Sequence, residues 1–229
     1  MLNSFSATIE YFLQEGKSNL RACLGIAFEA AVSRGIGTIV IFTGVGEGPR
    51  IAINEFASQE PYANIKIIAV TFPYGQLFKS DDGPMQIEIS QETRNFLASH
   101  NVPVVRAHLP FNPISAHYRN HGLLGQDLTL MGNLLSIFGG SMSLCVQAAL
   151  MACDAGYLAL GEHVISMTSD TAIIVRTAPT ERLLADFIVR EILCKPLYLT
   201  IAKGEKTQVN GELQPLLFSP TVPELLPPE

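Results

Sequence analysis

Charge is scarce in this sequence. Of 229 residues only 16% are charged and 48% are hydrophobic, and the 15 basic residues are outnumbered by 21 acidic ones, for a net charge of -6. The basic residues are scattered along the chain, whereas a nucleic-acid-binding surface needs them clustered, so no nucleic-acid partner is expected. A surface with so few charges leaves apolar patches exposed, and this predicts a homo-oligomer.

Paired cysteines and long apolar runs are also missing. Cys23, Cys145, Cys153 and Cys194 lie far apart without C-x-x-C spacing, which indicates buried thiols in a reducing compartment. No run of about 18 uninterrupted apolar residues occurs. The first residues, Met-Leu-Asn-Ser-Phe-Ser-Ala, include no basic segment followed by a long apolar one. These absences predict a cytoplasmic protein without a membrane partner.

What the sequence does contain is an alternation of apolar strands and helices, which predicts one α/β domain over residues 1–203. Because each buried strand is followed by a helical pattern, βαβ units are expected. From residue 204 the composition changes to Gly, Pro and isolated apolar residues, which predicts an extended tail over residues 204–229. In the first half, strands are predicted at residues 8–12, 38–42, 65–71 and 102–107, and helices from residues 20, 49 and 90.

The second half is predicted to be less regular. Residues 72–85 contain Pro and Gly and are expected to form a long irregular loop. Residues 163–167 and 171–177 are β-rich and nearly adjacent, so they must form a hairpin whose last strand is antiparallel. Helices are predicted at residues 126–138, 142–155 and 180–194. The helix at 142–155 is apolar on all sides, so a partner subunit is expected to bury part of it.

A glycine-rich loop, Thr43-Gly44-Val45-Gly46-Glu47-Gly48, separates the predicted strand at 38–42 from the helix that Pro49 opens. Strand, glycine loop and helix form an arrangement that holds phosphate, because glycines let the backbone approach a ligand and the helix start favours an anion. The loop lacks the Lys-Ser/Thr of a Walker A motif and does not spell G-x-G-x-x-G. A phosphate cradle and a plain strand-to-helix turn therefore both remain open.

The candidate ligand-binding residues lie in loops at one edge of the predicted sheet. Ligands of open α/β sheets bind beyond the carboxyl ends of the parallel strands, and loops 13–19, 43–48, 72–84, 108–125 and the 168–171 hairpin all fall there. Backbone N–H groups and hydroxyls in two facing loops can hold a phosphoryl group without a lysine. The predicted binding residues are Asn19, Thr43, Gly44, Gly46, Thr71, Gly75, Ser169, Asp170 and Thr171.

Residues for catalysis or metal binding are harder to find. His117 and His121 have the spacing of two ligands on one helix face, but no Glu lies between them and no third ligand follows, so no metal is expected. His108, His117 or Asp154 could serve as acid or base, although Asp154 precedes Gly156 and also suits a turn. No G-x-S-x-G elbow marks a nucleophile.

Six segments of the chain form a recognisable set. The first two are residues 38–52 and 65–71 (Thr-Ile-Val-Ile-Phe-Thr-Gly, then Ile-Ile-Ala-Val-Thr). The others are Ser-Ile-Phe-Gly from residue 136, Leu-Cys-Val from 144, Met-Ala-Cys-Asp-Ala-Gly from 151 and Asp-Thr-Ala from 170. Together these segments resemble the C-terminal domain of pyruvate kinase and the stand-alone α/β proteins of archaea and bacteria related to it.

The resemblance implies a three-layer α/β/α fold with a mixed sheet of about five strands, the last antiparallel. It also implies a ligand between two loops that match residues 43–48 and 167–171, because pyruvate kinase holds a sugar-bisphosphate effector there. The stand-alone relatives suggest a phosphate-bearing ligand such as flavin mononucleotide (FMN). The catalytic residues of pyruvate kinase belong to its barrel domain, which has no counterpart in this chain.

Two departures from the family pattern weaken that comparison. The loop at residues 166–170 is several residues shorter than the family's, and Gln147 stands where the relatives carry Glu. The leading hypothesis is a binding domain for a phosphorylated small molecule. The alternatives are an enzyme acting on a phosphorylated metabolite and an oligomeric scaffold protein.

Overall fold

The sheet at the centre of the molecule is built from the apolar, β-branched segments of the sequence. The computed structural model describes residues 4–80, 83–111, 126–197, 208–209 and 212–213. Seven strands form a mixed sheet in these residues, and two further pairs form short antiparallel ribbons. The strands are β1 Glu10–Phe12, β2 Thr38–Phe42, β3 Lys66–Thr71, β4 Leu77–Ser80, β5 Gly83–Gln86, β6 Val104–Arg106, β7 His163–Met167, β8 Ala172–Arg176, β9 Ile188–Pro196, β10 Gln208–Val209 and β11 Glu212–Leu213.

Helices lie on both faces of this sheet. Two 3₁₀ turns, Lys17–Asn19 and Thr180–Arg182, precede α1 and α6, and a π-helical segment, Ala52–Ala57, continues α2. No helix among the described residues has both the length and the apolar character needed to cross a membrane. The helices are α1 Leu20–Arg34, α2 Glu47–Ile51, α3 Gln91–Ser99, α4 Gln126–Ser136, α5 Met142–Asp154 and α6 Leu183–Asp186.

The strand order creates a crevice beside β2. The sheet runs β1-β9-β8-β7-β2-β3-β6, and only β8 is antiparallel to the other six strands. The chain proceeds from β2 to β3 and β6 on one side, then returns to β7 on the other side of β2. Such a switch point is where ligands bind in open α/β sheets, because the loops that follow the two strands diverge there.

Alternate residues of β2 supply the two halves of the core. Ile39 and Ile41 pack with α1, the start of the π-helical segment and α3. Val40 and Phe42 pack with α4 and α5. Because every residue of β2 is buried, the strand reads as one continuous apolar run, as expected for a parallel strand covered on both faces.

Local sequence signals explain where several elements begin and end. Gly35 ends α1 in the left-handed conformation at φ 65°, and its N–H donates to the carbonyls of Ala31 and Val32. Ser90 caps α3 by accepting a hydrogen bond from the Thr93 N–H, at 3.1 Å. The predictions for these helices, for the four early strands and for the β7–β8 hairpin are confirmed.

The predicted helix at residues 180–194 is wrong. The chain forms the turn Thr180–Arg182 and the single-turn helix α6, then becomes the nine-residue strand β9. Ile188, Val189 and Ile192 are β-branched, and β9 is paired on both sides, by β8 and by β1. The sheet therefore has seven strands rather than about five, and the antiparallel β8 is not its last strand.

The structure also differs from the predictions for residues 72–85 and for the cover of helix α5. Residues 72–85 are not an irregular loop throughout, because they include most of the β4–β5 hairpin, with Leu77 opposite Gln86. The apolar helix α5 is covered within the chain, by the sheet on one side and by α4. The predicted tail, residues 204–229, lies outside the described residues except for the short β10–β11 ribbon.

Candidate functional site

A cleft of about 540 Å³ opens at the switch point. The loop after β2 contributes Thr43 and Gly44 to its wall, and the loop after β7 contributes Thr168 and Ser169. Two loops that are distant in sequence therefore face each other across one cleft, as the sequence predicted. The remaining lining residues are Lys17, Leu20, Phe42, Val45, Glu47, Gly48, Met85, Gln86, Ile87, Glu88, Ser141 and Leu144.

The side chain of Thr43 closes the glycine loop. Its hydroxyl accepts a hydrogen bond from the Gly46 N–H at 2.9 Å, and its own N–H donates to the Val70 carbonyl at 2.8 Å. Within the described part of the chain, the N–H groups of Gly44 and Glu47 have no hydrogen-bond acceptor. Both residues line the cleft, so these two N–H groups are candidate donors to a ligand.

Packing and backbone conformation are sufficient to account for glycine at these positions. A Cβ on Gly44 would lie 2.8 Å from Cγ2 of Ile87, and one on Gly46 would lie 2.5 Å from Cγ2 of Thr93. Gly46 also has φ +86°, a left-handed conformation that disfavours a side chain. The glycines therefore suit a plain turn as well as a phosphate cradle, and their presence does not decide between the two.

Asp170 holds the opposite wall together. Its buried carboxylate accepts hydrogen bonds from the Gly16 N–H at 2.8 Å and from the hydroxyls of Ser141, Thr168 and Thr171 at 3.0–3.3 Å. Thr171 in turn accepts from the Ser141 N–H at 3.0 Å. One carboxylate thus joins the loop before α1, the start of α5 and the β7–β8 hairpin. The side chains of Asp170 and Thr171 are therefore already hydrogen-bonded to other groups of the protein.

The rim of the cleft is mainly acidic. Lys17 is the only cation among the described lining residues, and its Nζ lies 3.9 Å from the Glu47 carboxylate. Glu88 accepts from the Gly75 N–H at 3.0 Å and pairs with Arg106 at 2.8 Å. The hydrogen bond from Gly75, with help from Gln86 and Arg106, lowers the pKa of the Glu88 carboxyl.

The floor and walls are mostly apolar. Leu20 and Phe42 come from the core, Leu144 from α5, and Met85 and Ile87 from the segment at the end of the β4–β5 hairpin. The T-shaped contact of Phe42 with Phe72, with ring centroids 4.9 Å apart, anchors this side of the cleft. The cleft therefore combines an apolar floor and walls with a charged rim.

The predicted binding residues fall into three groups. Thr43, Gly44 and Ser169 line the cleft. Gly46, Asp170 and Thr171 are buried and shape the loops from behind. The other three are engaged elsewhere: the side-chain amide of Asn19 donates to the Gln14 carbonyl at 2.6 Å, Thr71 is buried at the end of β3, and the Gly75 N–H binds Glu88.

Sequence reasoning missed one whole wall of the cleft. Met85 ends the predicted irregular loop, and residues 86–88 belong to no predicted element. Lys17 lies in the 13–19 loop that the sequence placed at this edge, whereas Ser141 belongs to no motif and Leu144 only to the Leu-Cys-Val segment of the resemblance. Met85 and Gln86 lie in β5, Lys17 and Ser141 precede helices, and Leu144 lies in α5. Only the tertiary structure brings these elements to one cleft. No local signal in the sequence identifies such contacts.

The cysteines show how the interior below the cleft is packed. The Sγ atoms of Cys23 and Cys194 lie 3.4 Å apart, and the Cys145 thiol donates to the Thr171 carbonyl at 3.4 Å. The hydrogen bond with Cys194 and burial raise the pKa of Cys23, and burial raises the pKa of Cys145. Cys23, Cys145 and Cys194 therefore act as small buried side chains, as expected from the sequence, whereas Cys153 is only partly buried.

A second cleft, of about 630 Å³, contains both His108 and Asp154. Asp154 is occupied there, because its carboxylate accepts from the N–H and the hydroxyl of Thr180, at 2.8 and 2.5 Å. It holds the Thr180–Arg182 turn against the end of α5, a structural role different from the local turn before Gly156 that the sequence suggested. His117 and His121 lie outside the described residues, and the described residues contain no cluster of three metal-binding side chains.

Comparison with models of known protein families finds no match to this chain. The functional argument therefore depends on the geometry of the cleft at the switch point and on the residues that line it.

Proposed function

We propose that this chain is a binding domain for a phosphate-bearing small molecule, with FMN as a ligand of suitable shape and chemistry. The observation that carries the proposal is the meeting of the 43–48 loop and the 168–171 hairpin across one cleft at the switch point. The resemblance to the pyruvate kinase C-terminal domain implies a ligand between the same two loops and so supports the proposal.

The phosphate would lie at the glycine loop. The N–H groups of Gly44 and Glu47 and the hydroxyl of Ser169 are the polar groups on the two sides, and each hydrogen bond to a charged ligand contributes about 1.5–3 kcal/mol. Glu47 and Glu88 on the rim repel anions, whereas Lys17 attracts them. This balance favours a single phosphate group over a chain of phosphates.

The rest of the ligand would contact apolar side chains. A volume of about 540 Å³ lies within the usual range for small-molecule pockets. Phe42, Ile87 and Leu144 offer a surface for a flat ring, with Met85 at its edge. The isoalloxazine ring of FMN is such a group, and its ribityl phosphate reaches from an apolar surface to a polar loop.

Titration of the full chain with FMN and with riboflavin tests the phosphate directly, because the two ligands differ only in that group. FMN should bind at least about 10-fold more tightly, as followed by flavin fluorescence or calorimetry. Ser169→Ala should weaken FMN about 3- to 10-fold, since it removes one hydroxyl contact, while Ser99→Ala on α3 serves as the matched control.

Two results would contradict the proposal. Equal affinity for riboflavin and FMN would show that the phosphate is not recognised. Absence of binding by FMN, by sugar phosphates and by inorganic phosphate at millimolar concentration would remove the whole ligand class.

A further inference from the structure

The apolar residues of helix α4 span a wide arc, of which only one part packs inward. Its inner residues Met131 and Leu135 pack against the core beside α5. Its outer residues form a stripe with the spacing i, i+4, i+7 and i+8, which keeps them on one face of a helix and its final turn. They are Leu130 (54% exposed), Leu134 (51%), Ile137 (74%) and Phe138 (50%).

This outer stripe has no cover among the described residues. An amphipathic helix normally buries its apolar residues, so a stripe of four large exposed side chains marks a contact surface. The apolar sequence of the neighbouring helix α5 predicted that a partner would cover α5. Instead, α5 is buried within the chain, and the stripe on α4 is exposed.

The charges around the stripe suit a symmetric partner. No ionisable residue occurs from Leu128 to Ser141, so two copies of the stripe bring no like charges together. The nearest cation, Lys195, donates to the Phe138 carbonyl at 2.6 Å and so compensates the carbonyl end of α4. An antiparallel arrangement also places the negative end of each helix dipole beside the positive end of the other.

We propose that the α4 stripe is the surface on which a second copy of this chain docks, with the two α4 helices antiparallel about a twofold axis near Leu134. In that arrangement Leu130 of each copy lies opposite the partner's Phe138, and the two Leu134 side chains meet at the axis. The contact is isologous, as most homodimer interfaces are.

The exposed area of the stripe is that of a small interface. Four large side chains about half exposed present on the order of 400 Å² per copy, and twice that when paired. Tyr11, 46% exposed and within 5.4 Å of Lys195 Nζ, extends the patch. The total approaches the roughly 1,000 Å² of a small specific interface, so a weak dimer is expected.

Sedimentation or light scattering of the full chain at tens of micromolar tests the interface. The wild-type protein should have twice the monomer mass. Leu134→Glu should raise the dimer dissociation constant on the order of 100-fold or more, because it places two like charges at the axis. Leu184→Glu is the matched control, since Leu184 is 91% exposed on α6 and does not belong to the stripe, and this variant should remain dimeric.

Circular dichroism and the melting temperature of the Leu134→Glu monomer should match a folded protein, because the side chain faces outward. A second variant, Leu134→Cys, should form a disulfide-linked dimer under mild oxidation, whereas Leu184→Cys should not. A monomeric wild-type chain, or a dimer that persists in Leu134→Glu, would overturn the inference. The monomer result would mean that the chain itself covers the stripe.

Discussion

Replacement of Gly46 by Ala tests whether packing, rather than a ligand, requires glycine in the loop after β2. Gly46 has φ 86° and ψ 11°, and a left-handed conformation costs an alanine about 1–2 kcal/mol. The added Cβ would also lie 2.5 Å from Cγ2 of Thr93 and 3.4 Å from Cγ2 of Ile89. Overpacking of this kind costs about 1–3 kcal/mol, so Gly46→Ala should lose about 2–5 kcal/mol of unfolding free energy.

Two further variants separate the conformational cost from the steric one. Gly75 has a similar φ of +75° but open space where a Cβ would be, so Gly75→Ala should lose only the conformational part, about 1–2 kcal/mol. Thr93→Ser removes the clashing Cγ2 and keeps the hydroxyl, which bonds the Ser90 and Arg50 side chains. In the Gly46→Ala background it should restore about 1–2 kcal/mol, measured as coupling in a double-mutant cycle.

Urea unfolding followed by circular dichroism measures all four proteins and the double variant without any ligand. If Gly46→Ala is no more destabilising than Gly75→Ala, the loop relaxes around the new methyl group. If the cycle shows no coupling with Thr93→Ser, the contact with α3 is not what excludes a side chain. Either result would refute the steric explanation. It would then favour the alternative that a bound ligand requires glycine at this position.

Two other variants test the walls of the cleft. Asp170→Asn should lower the unfolding free energy by about 2–4 kcal/mol, seen as a lower melting temperature, because the carboxylate accepts four hydrogen bonds and an amide cannot accept them all; the exposed Glu29→Gln should change little. The fold lowers the pKa of Glu88, so the ionised carboxylate stabilises the folded state. This stabilisation is fully present above the pKa of the unfolded chain, near 4.3, and is lost as the pH falls through the lower pKa of the folded protein. Glu88→Gln should therefore lose less stability than the wild type between about pH 5 and pH 3 in unfolding measurements, and an equal loss in both would refute this role.

Much of the sheet was predictable because its signals are local. The apolar β-branched run of β2 needs no partner to be recognised, and the short gap after His163–Met167 permits only a hairpin. Gly35 and Ser90 mark helix boundaries through their own backbone and side-chain chemistry. From these pieces the facing of the 43–48 and 168–171 loops also follows, since parallel strands end at the same edge.

The errors come from segments whose state depends on distant partners. Residues 188–196 have a composition that suits either helix or strand, and pairing with β8 and β1 decides for strand. The β4–β5 hairpin contains the Pro and Gly typical of a loop, yet its backbone groups pair with each other. Apolar periodicity in α5 indicates burial without showing whether this chain or another supplies the cover.

The sequence by itself determined the α/β class, the glycine loop and the edge of the sheet at which that loop lies, because these depend on short-range patterns of burial and turn chemistry. Only the tertiary structure decided that Asp170 joins three separate segments, that residues 85–88 form a wall of the cleft, and that α4 rather than α5 has an uncovered face. Those features arise from contacts between residues far apart in the chain. Their energies depend on a strand order that no local pattern encodes.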